Sequence, residues 1–301
     1  MLNQSGLQKR AALIQSVRSF FNNRVYLEVD TPVRLPVLIP EAYNEPVESN
    51  DHFLQTSPEI CMKRLLAETG CHKIFQICKC YRKEERGDRH LPEFTMLEWY
   101  RTRSDYHSLM DECEDLILDL ARALVNSKIV TFKDAEISLE KPWERLSVAD
   151  AFSRYGTVSV EKALEQNIFD EILCTNVEPR LGLRKPVFLY DYPVELGALA
   201  RTKRDDTALS ERFELYIAGI ELANGFSELT DTTEQRQRFV WELENIEKQG
   251  RAAGVMPEKF LQALSDMPEA AGIALGLDRL AMVLFNKETI DEVVTFVPED
   301  L

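Results

Sequence analysis

The chain has 301 residues, and its 45% hydrophobic content is enough for a substantial buried core in one large domain or two ordinary ones. Its formal net charge of -15 excludes a general attraction to phosphate backbones, and six cysteines do not form a dense disulfide scaffold at this length. The N-terminus lacks an apolar signal-peptide core, and no run of eighteen apolar residues occurs. We therefore expect a cytoplasmic protein that does not bind membranes.

The N-terminal region begins with apolar residues at helical spacing from Leu7 to Phe21, followed by the strand-like segment VYLEVDTP. Residues 33–55 contain three prolines and indicate an irregular stretch or strand fragments. The segment SPEICMKRLLAE then predicts a helix that begins at Ser57-Pro58 with Glu59 in its first turn.

A hairpin follows, with strands predicted over Lys73–Tyr81 and Thr95–Tyr100. The charged connection KEERGDRHLPE, which contains Gly87, is typical of an exposed loop and carries many ligand-type residues. A long helix is predicted from Leu109 to Leu124. We interpret residues 103–185 as a mostly helical insertion in which the sequence indicates no chemistry.

The last third of the chain is rich in predicted strands and ends in a helix. The predicted elements are strands over Val187–Tyr192, Arg212–Ala218, Glu221–Gly225 and Gly272–Gly276, a polar surface helix over Thr233–Arg251, and a helix over Leu277–Phe285. No internal repeat, low-complexity tract or clear linker divides the chain. We expect residues 1–301 to form one catalytic domain.

Two arginines stand in the most informative segments, Arg82 within FQICKCYRKEERGDRHLPEFTMLEWY and Arg279 within GIALGLDRLAMVL. Joining a carboxylate to ATP brings two anions together at the α-phosphorus, and the planar fork of arginine can neutralise and orient both. Gly276, before Arg279, permits close approach of the backbone. Taken alone, either arginine is as readily a surface ion-pair residue.

The surrounding segments resemble the three motifs of class II aminoacyl-tRNA synthetases. The helix ending in EVDTP resembles motif 1, the dimer-forming element; RxE with PEFTMLEWY resembles motif 2; and GLDRL resembles motif 3. The segments EFTMLEWY and ERFELYIAGIELANGFSELTD are similar to the lysyl branch, and the similarity covers most of the chain except residues 126–185. The resemblance implies an α+β fold, with a mainly antiparallel sheet flanked by helices, and a homodimer.

The layout resembles a truncated group of lysyl-tRNA synthetase paralogues in bacteria. Because motif 1 starts within the first ten residues, we expect no anticodon-binding domain. Two details favour the paralogues over a synthetase fragment: TSPE at Thr56–Glu59, and Ala274 where lysyl-tRNA synthetases have glycine. The resemblance implies a ligase that uses ATP and Mg²⁺ to activate lysine or (R)-β-lysine and transfers it to a lysine of elongation factor P, with tRNA disfavoured as the acceptor.

The resemblance also implies roles for the residues that would handle ATP. Arg82 and Arg279 are the implied catalytic residues, and Arg82 would bind the α-phosphate and the substrate carboxylate. Glu84 would meet the adenine amino group, Phe94 would stack on adenine, Arg89, His90 and Arg279 would hold the β- and γ-phosphates, and Glu214 and Glu221 would ligate Mg²⁺.

A second implied set would hold the amino acid. Glu228 and Tyr100 would bind the side-chain ammonium, Glu59 and Glu98 would serve the amino-group end, and Asn224 would position the carboxylate, with Ser57 and Glu221 as further substrate-binding residues. A buried ammonium needs such a carboxylate partner. The methyl of Ala274 would disfavour an α-amino group and tolerate a β-amino group, since one methyl in a pocket discriminates by about 1–3 kcal/mol.

Two positions depart from the pattern of the resembled family, and other functions stay open. Lys83 replaces asparagine in the motif 2 segment YRKE, and Leu91 replaces asparagine in HLPEF. The alternatives are a tRNA-aminoacylating enzyme without an anticodon domain, an asparagine-synthetase-like relative of the aspartyl branch, and a non-catalytic regulatory subunit that has kept the fold. A relative of the aspartyl branch should have another residue in place of Glu228, and a regulatory subunit should lack the charged residues that bind phosphate.

Overall fold

The centre of the fold is an eight-stranded sheet, seen in a computed structural model that describes residues 1–252 and 254–301. The strand order is β1-β5-β6-β13-β12-β11-β10-β9. The five pairings from β5 to β10 are antiparallel, and the edge pairings β1 with β5 and β9 with β10 are parallel. The predicted α+β fold with a mainly antiparallel sheet is confirmed.

The elements have the following bounds. The strands are β1 Leu27–Glu28, β2 Arg34–Leu35, β3 Glu48–Ser49, β4 His52–Leu54, β5 Lys73–Tyr81, β6 Glu93–Thr102, β7 Ile129–Phe132, β8 Ala135–Ser138, β9 Glu144–Ser147, β10 Val187–Pro193, β11 Leu209–Ile217, β12 Ile220–Ser227 and β13 Ala270–Gly276. The helices are α1 Gln4–Asn23, α2 Glu59–Thr69, α3 Tyr106–Val125, α4 Val148–Tyr155, α5 Val160–Glu165, α6 Phe169–Ile172, α7 Thr232–Lys248, α8 Glu258–Leu264 and α9 Leu277–Phe285. None of the helices in the described ranges is long and apolar enough to cross a membrane.

Most predicted elements agree with these bounds to within a few residues. Strand β5 and helix α9 have the predicted ends, and α2 begins at Glu59 after Pro58. The strand expected in VYLEVDTP is shorter than predicted, because β1 pairs only through Leu27 and Glu28 at the edge of the sheet. The fragments expected in residues 33–55 form a small three-stranded sheet in the order β2-β4-β3.

The segment interpreted as an insertion divides into two parts. Helix α3 packs against α1, α9 and strands β11 to β13, so it belongs to the main core. After it come the β7–β8 hairpin, strand β9 at the sheet edge, and helices α4 to α6, which share a separate apolar cluster with β10. That the whole chain acts as one domain stays a prediction.

The two faces of the sheet have different chemistry, as β6 shows. Side chains alternate along a strand. Leu97 and Trp99 face the apolar core beneath α1, α3 and α9, whereas Glu98 and Tyr100 face the opposite side. The alternation in EFTMLEWY therefore sends carboxylate and phenol groups to the face that is open to a cleft.

A buried cluster of charges joins the N-terminal helix to this sheet. The Arg10 guanidinium donates to Asp278 Oδ1 and to Thr95 Oγ1, each at 2.7 Å, and Asp278 Oδ2 accepts from the Thr95 backbone N–H at 2.7 Å. Because Asp278 lies in the first turn of α9, this cluster fixes the start of α9 and, with it, the neighbouring Arg279.

Candidate active site

A cleft of about 500 Å³ opens on the polar face of the sheet. Thirteen of the residues singled out in the sequence line it: Ser57, Glu59, Arg82, Arg89, His90, Phe94, Glu98, Tyr100, Glu214, Glu221, Asn224, Ala274 and Arg279. Glu84 and Glu228 do not. The structure therefore brings both implied sets into one cavity.

Strand register explains how distant segments meet at this cleft. Gln76 pairs with Glu98, Glu98 with Ala274, Ala274 with Asn224, and Asn224 with Glu214. These directly opposed residues form one row across five strands, and opposed side chains on one face lie close together. The row runs from the amino-acid set at Glu98 to the ATP set at Glu214.

Arg82 follows β5 directly and projects into the cleft. Its backbone N–H donates to Pro92 O at 2.9 Å, which closes the base of the charged loop. Its guanidinium carbon lies 5.2 Å from the centre of the Phe94 ring, and its Nη1 lies 3.6 Å from Glu85 Oε1. The buried Nε has no hydrogen-bond partner in residues 1–252 and 254–301. A buried donor left open in a cleft is suited to an anionic ligand.

Arg279 is held between the charged loop and β12. Its Nη1 donates to Glu221 O at 2.9 Å and lies 3.4 Å from Glu221 Oε2, while its Nε donates to Arg89 O at 3.2 Å. Its Nη2 lies 2.5 Å from His90 Nε2. Burial, followed by the charge of Arg279, lowers the pKa of His90, so a neutral imidazole accepts from the arginine.

Glu214 has partners on both carboxylate oxygens. Arg212 Nη2 donates to Oε1 at 2.7 Å, and the hydroxyls of Tyr192 and Tyr216 donate to Oε2, each at 2.6 Å. Burial raises the pKa of Glu214, the nearby guanidinium of Arg212 opposes the rise, and Glu221 adds to it. The carboxylate is thus held in a fixed position beside a second carboxylate.

The resemblance implies Glu214 and Glu221 as ligands of Mg²⁺, and both line the cleft wall. In residues 1–252 and 254–301, no group of three or more histidine, cysteine, aspartate or glutamate side chains is placed to hold a metal ion. One or two carboxylates together with substrate phosphates and water are the usual ligands of Mg²⁺ in nucleotide sites. The two glutamates fit a metal that arrives with ATP.

The other end of the cleft is rich in buried carboxylates. The Tyr100 hydroxyl donates to Glu98 Oε1 at 2.5 Å, and the buried Glu98 Oε2 has no hydrogen-bond partner among the described residues. Burial, reinforced by the charge of Glu59, raises the pKa of Glu98 well above its usual range. Burial likewise raises the pKa of Tyr100.

Glu228 is enclosed behind the cleft wall and contacts a lysine of the chain itself. Its side chain is 1% exposed, and its Oε2 lies 2.5 Å from Lys63 Nζ, which also lies 2.5 Å from Glu59 Oε1. Burial raises the pKa of Glu228 to about 8, against the opposing charge of Lys63. The ammonium expected beside Glu228 is therefore, in this structure, that of Lys63.

Gly272 separates Glu228 from the cleft. A Cβ added at Gly272 would lie 2.6 Å from Glu228 Oε1 and 2.2 Å from Tyr100 Cε1. Glu228 Oε1 is buried and has no hydrogen-bond partner. Because Gly272 lines the cleft, its missing side chain leaves this oxygen within reach of a group in the cavity.

Two residues that depart from the family pattern have definite places. Lys83 Nζ lies 2.5 Å from Glu45 Oε1 and ties the loop over the cleft mouth to the motif 2 segment. Leu91 is buried in the main apolar core. Glu84 is exposed with a φ of 61° and borders a separate shallow pocket beside Lys83 and Glu45, and its contact with adenine stays a prediction.

Sequence reasoning missed Lys63 and Arg212. Lys63 stands four residues after Glu59 on α2, among the buried residues Ile60, Met62 and Leu66, and this spacing could have indicated the ion pair. Arg212 stands two residues before Glu214, and strand alternation could have placed the two on one face. The cleft residues Glu41, Tyr43 and Glu242 carry no such signal.

Residues 2–300 match the family described as tRNA synthetases class II (D, K and N). The chain belongs to this family, as its motifs indicated. Several curated relatives share one name, elongation factor P–(R)-beta-lysine ligase. Those from Pectobacterium carotovorum subsp. carotovorum and Hamiltonella defensa subsp. Acyrthosiphon pisum are 38% and 39% identical, each over 98% of this chain and 95% of the relative. One from Salmonella dublin is 38% identical over 96% of this chain and 94% of the relative. The resemblance to the truncated paralogues is confirmed.

Proposed function

We propose that this protein activates (R)-β-lysine, or lysine, with ATP and transfers the acyl group to a lysine of elongation factor P. The observation that carries the proposal is one cleft with a cationic end, formed by Arg82 and Arg279, and a carboxylate end, where Glu59 and Glu98 line the wall and Glu228 is buried behind it. A triphosphate fits the first end, and an amino acid with two ammonium groups fits the second. The name shared by the relatives supports the same assignment.

The first step joins the amino acid to ATP. A carboxylate oxygen of the amino acid attacks the α-phosphorus, the bond between the α-phosphorus and the α,β-bridging oxygen breaks, and pyrophosphate leaves. Arg82 holds the carboxylate and the α-phosphate in line through its open Nε and its Nη groups, and Arg279 with Arg89 and His90 neutralises the leaving pyrophosphate. Phe94 stacks on adenine, and Asn224 orients the carboxylate. Glu84 contacts adenine only if its exposed loop moves.

Mg²⁺, bound through Glu214 and Glu221 together with the phosphates, would offset the charge that develops on the phosphate oxygens. The chain holds these two carboxylates in place without the ion. Glu214 is fixed by Arg212, Tyr192 and Tyr216, and Glu221 is fixed by Arg279.

The second step transfers the acyl group. The ε-amino group of the acceptor lysine attacks the acyl carbon, AMP leaves from it, and the nitrogen loses a proton as the amide forms. No covalent intermediate with the enzyme is required. We further infer that the protein is cytoplasmic, that it forms a homodimer, and that tRNA is not the acceptor of the acyl group. The exposed apolar side chains of Leu7, Val25 and Leu27, in and after α1, support the dimer, which light scattering would test.

The test is ATP–pyrophosphate exchange with α-lysine and with (R)-β-lysine. We expect exchange with both and a preference for (R)-β-lysine. Exchange with neither amino acid would contradict the proposal and favour the alternative function of a non-catalytic regulatory subunit. Exchange followed by transfer to tRNA instead of elongation factor P would favour the aminoacylating alternative.

A further inference from the structure

Lys63 is a fully enclosed cation that the two reaction steps leave without a role. It is 2% exposed, on α2, with its Nζ 2.5 Å from Glu59 Oε1 and 2.5 Å from Glu228 Oε2. The same Nζ lies 5.0 Å from the centre of the Phe226 ring, which lines the cleft. Burying a lysine is costly unless it is paired, and here two carboxylates from distant parts of the chain pair with it.

The charges at this end of the cleft do not balance without a ligand. When ionised, Glu59, Glu98 and Glu228 carry three negative charges, and Lys63 supplies one positive charge. Two negative charges remain, which matches the two ammonium groups of lysine or (R)-β-lysine. Oxygens of these carboxylates that are buried without hydrogen-bond partners include Glu98 Oε2 and Glu228 Oε1. Such oxygens are suited to accept from a ligand.

We propose that Lys63 is a positioning residue for the amino acid: its ammonium bridges Glu59 and Glu228, opposes their protonation and holds both side chains directed at the two ammonium groups of the substrate. This inference rests on the proposed function. Lys63 itself does not touch the reacting atoms; it acts through the two glutamates. An amino acid with one ammonium group leaves one negative charge of the pocket unpaired and is disfavoured for that reason.

Protonation of the pocket gives the proposal a second observable. Burial raises the pKa of Glu98 and of Glu228, the latter to about 8, so the free pocket binds protons near neutral pH that two incoming ammonium groups displace. The other titratable and charged groups that face these carboxylates are Glu41, Cys78, Arg82, Tyr100 and Arg201. Removing Lys63 removes the cation that opposes protonation of Glu228, so the loss of substrate affinity should be largest at low pH.

The experiment measures pyrophosphate exchange by Lys63→Met, Lys63→Arg and the double variant Glu59→Gln with Lys63→Met, with Lys162→Met on the exposed face of α5 as the matched control. The substrates are (R)-β-lysine and 6-aminohexanoate, which has one ammonium group. For Lys63→Met we expect the KM for (R)-β-lysine to rise about 10- to 100-fold, with the KM for ATP unchanged. The rise should shrink from pH 6 to pH 8.5.

The other variants separate this role from simple packing. Lys63→Arg keeps the charge and should keep the preference for two ammonium groups within about threefold of the wild type. The double variant loses Lys63 and also one of the two carboxylates directed at the substrate, so its KM for (R)-β-lysine should be at least as high as that of Lys63→Met. An unchanged KM for (R)-β-lysine in Lys63→Met, or a loss that is equal at every pH, overturns the inference.

Two outcomes keep the inference distinct from the proposed function and from folding. A wild-type enzyme that exchanges with neither lysine overturns the proposed function, whereas wild-type exchange with an unaffected Lys63→Met overturns only the role of Lys63. If Lys63→Met does not fold, calorimetry of (R)-β-lysine binding to the wild type in two buffers of different ionisation enthalpy decides the matter. We expect net proton release at pH 7, and no release contradicts the charge-matched pocket.

Discussion

The two ends of the cleft use charge in opposite ways. At the ATP end Arg279 pairs with Glu221 and Arg212 pairs with Glu214, and these two arginines are partly open to solvent. At the amino-acid end Lys63 pairs with two carboxylates, Glu59 and Glu228, and a third carboxylate, Glu98, is buried nearby. The paired side chains at the ATP end can exchange their partners when phosphates and a metal bind. The amino-acid end has more carboxylates than cations until the ammonium groups of the substrate bind.

The difference also appears in protonation. The arginines at the ATP end stay charged at any cellular pH, so phosphate binding there should vary little between pH 6 and 8. At the amino-acid end, burial raises the pKa of Glu228 to about 8. A carboxylate whose pKa is raised in the folded protein destabilises the fold increasingly as the pH rises from the ordinary pKa to the raised one, here about 8. Over the same pH range the carboxylate becomes ionised, and its affinity for an ammonium group increases. Substrate affinity and stability should therefore change in opposite directions.

The largest expected effect is at the ATP end. Arg279→Ala should lower kcat/KM for exchange about 10³-fold, because an arginine that neutralises transferring phosphates contributes strongly to the transition state. Binding of (R)-β-lysine, measured directly by calorimetry, should stay within a few-fold of the wild type. An equal loss of amino-acid binding would break the proposed separation of the two ends.

A smaller effect is expected from closing the wall in front of Glu228. Gly272→Ala places a Cβ 2.2 Å from Tyr100 Cε1 and 2.6 Å from Glu228 Oε1, so the ring or the carboxylate must move. We expect a rise of about 100-fold in the KM for (R)-β-lysine and unchanged binding of a non-hydrolysable ATP analogue. Gly254→Ala is the control, since its Cβ would meet only Leu243 at 3.9 Å. An unchanged KM in Gly272→Ala would show that the substrate does not approach Glu228 across this glycine.

The smallest expected effect concerns the choice between the two lysines. Ala274 lies between Glu98 and Asn224 in the row across the sheet, with its methyl on the cleft wall. Ala274→Gly removes that methyl and should shift the ratio of kcat/KM for α-lysine over (R)-β-lysine upward by about tenfold. The exchange assay measures both values, and an unchanged ratio would exclude Ala274 as the selectivity element.

The helices and strands and the ATP end of the cleft could be predicted from the sequence, because each is indicated by residues that are close together in the chain. The alternation in β6, the start of α2 at Glu59 and the junction before Arg279 each lie within a few residues. The row from Glu98 to Glu214 follows from strand register, which a single sequence does not specify. The resemblance to a known family supplied that set.

The buried pairing at the amino-acid end was harder to predict. Lys63 meets Glu228 only because α2 packs over the end of β12, although 165 residues separate the two positions in the chain. A lysine in a helix is ordinarily a surface residue, so composition gave no reason to bury it. The exposed position of Glu84 was likewise not predictable, because it depends on the left-handed backbone at that residue in the charged loop.

The central claim, that the two ends of the cleft serve to acylate a protein, is tested most directly by the intact mass of elongation factor P. The factor is incubated with the wild-type enzyme, ATP and (R)-β-lysine, with Arg279→Ala as the parallel reaction and tRNA as the competing acceptor. We predict that the factor gains the mass of one lysyl group with the wild type only, and that tRNA is not acylated. A factor of unchanged mass in the presence of active pyrophosphate exchange, or acylated tRNA in its place, would contradict the account.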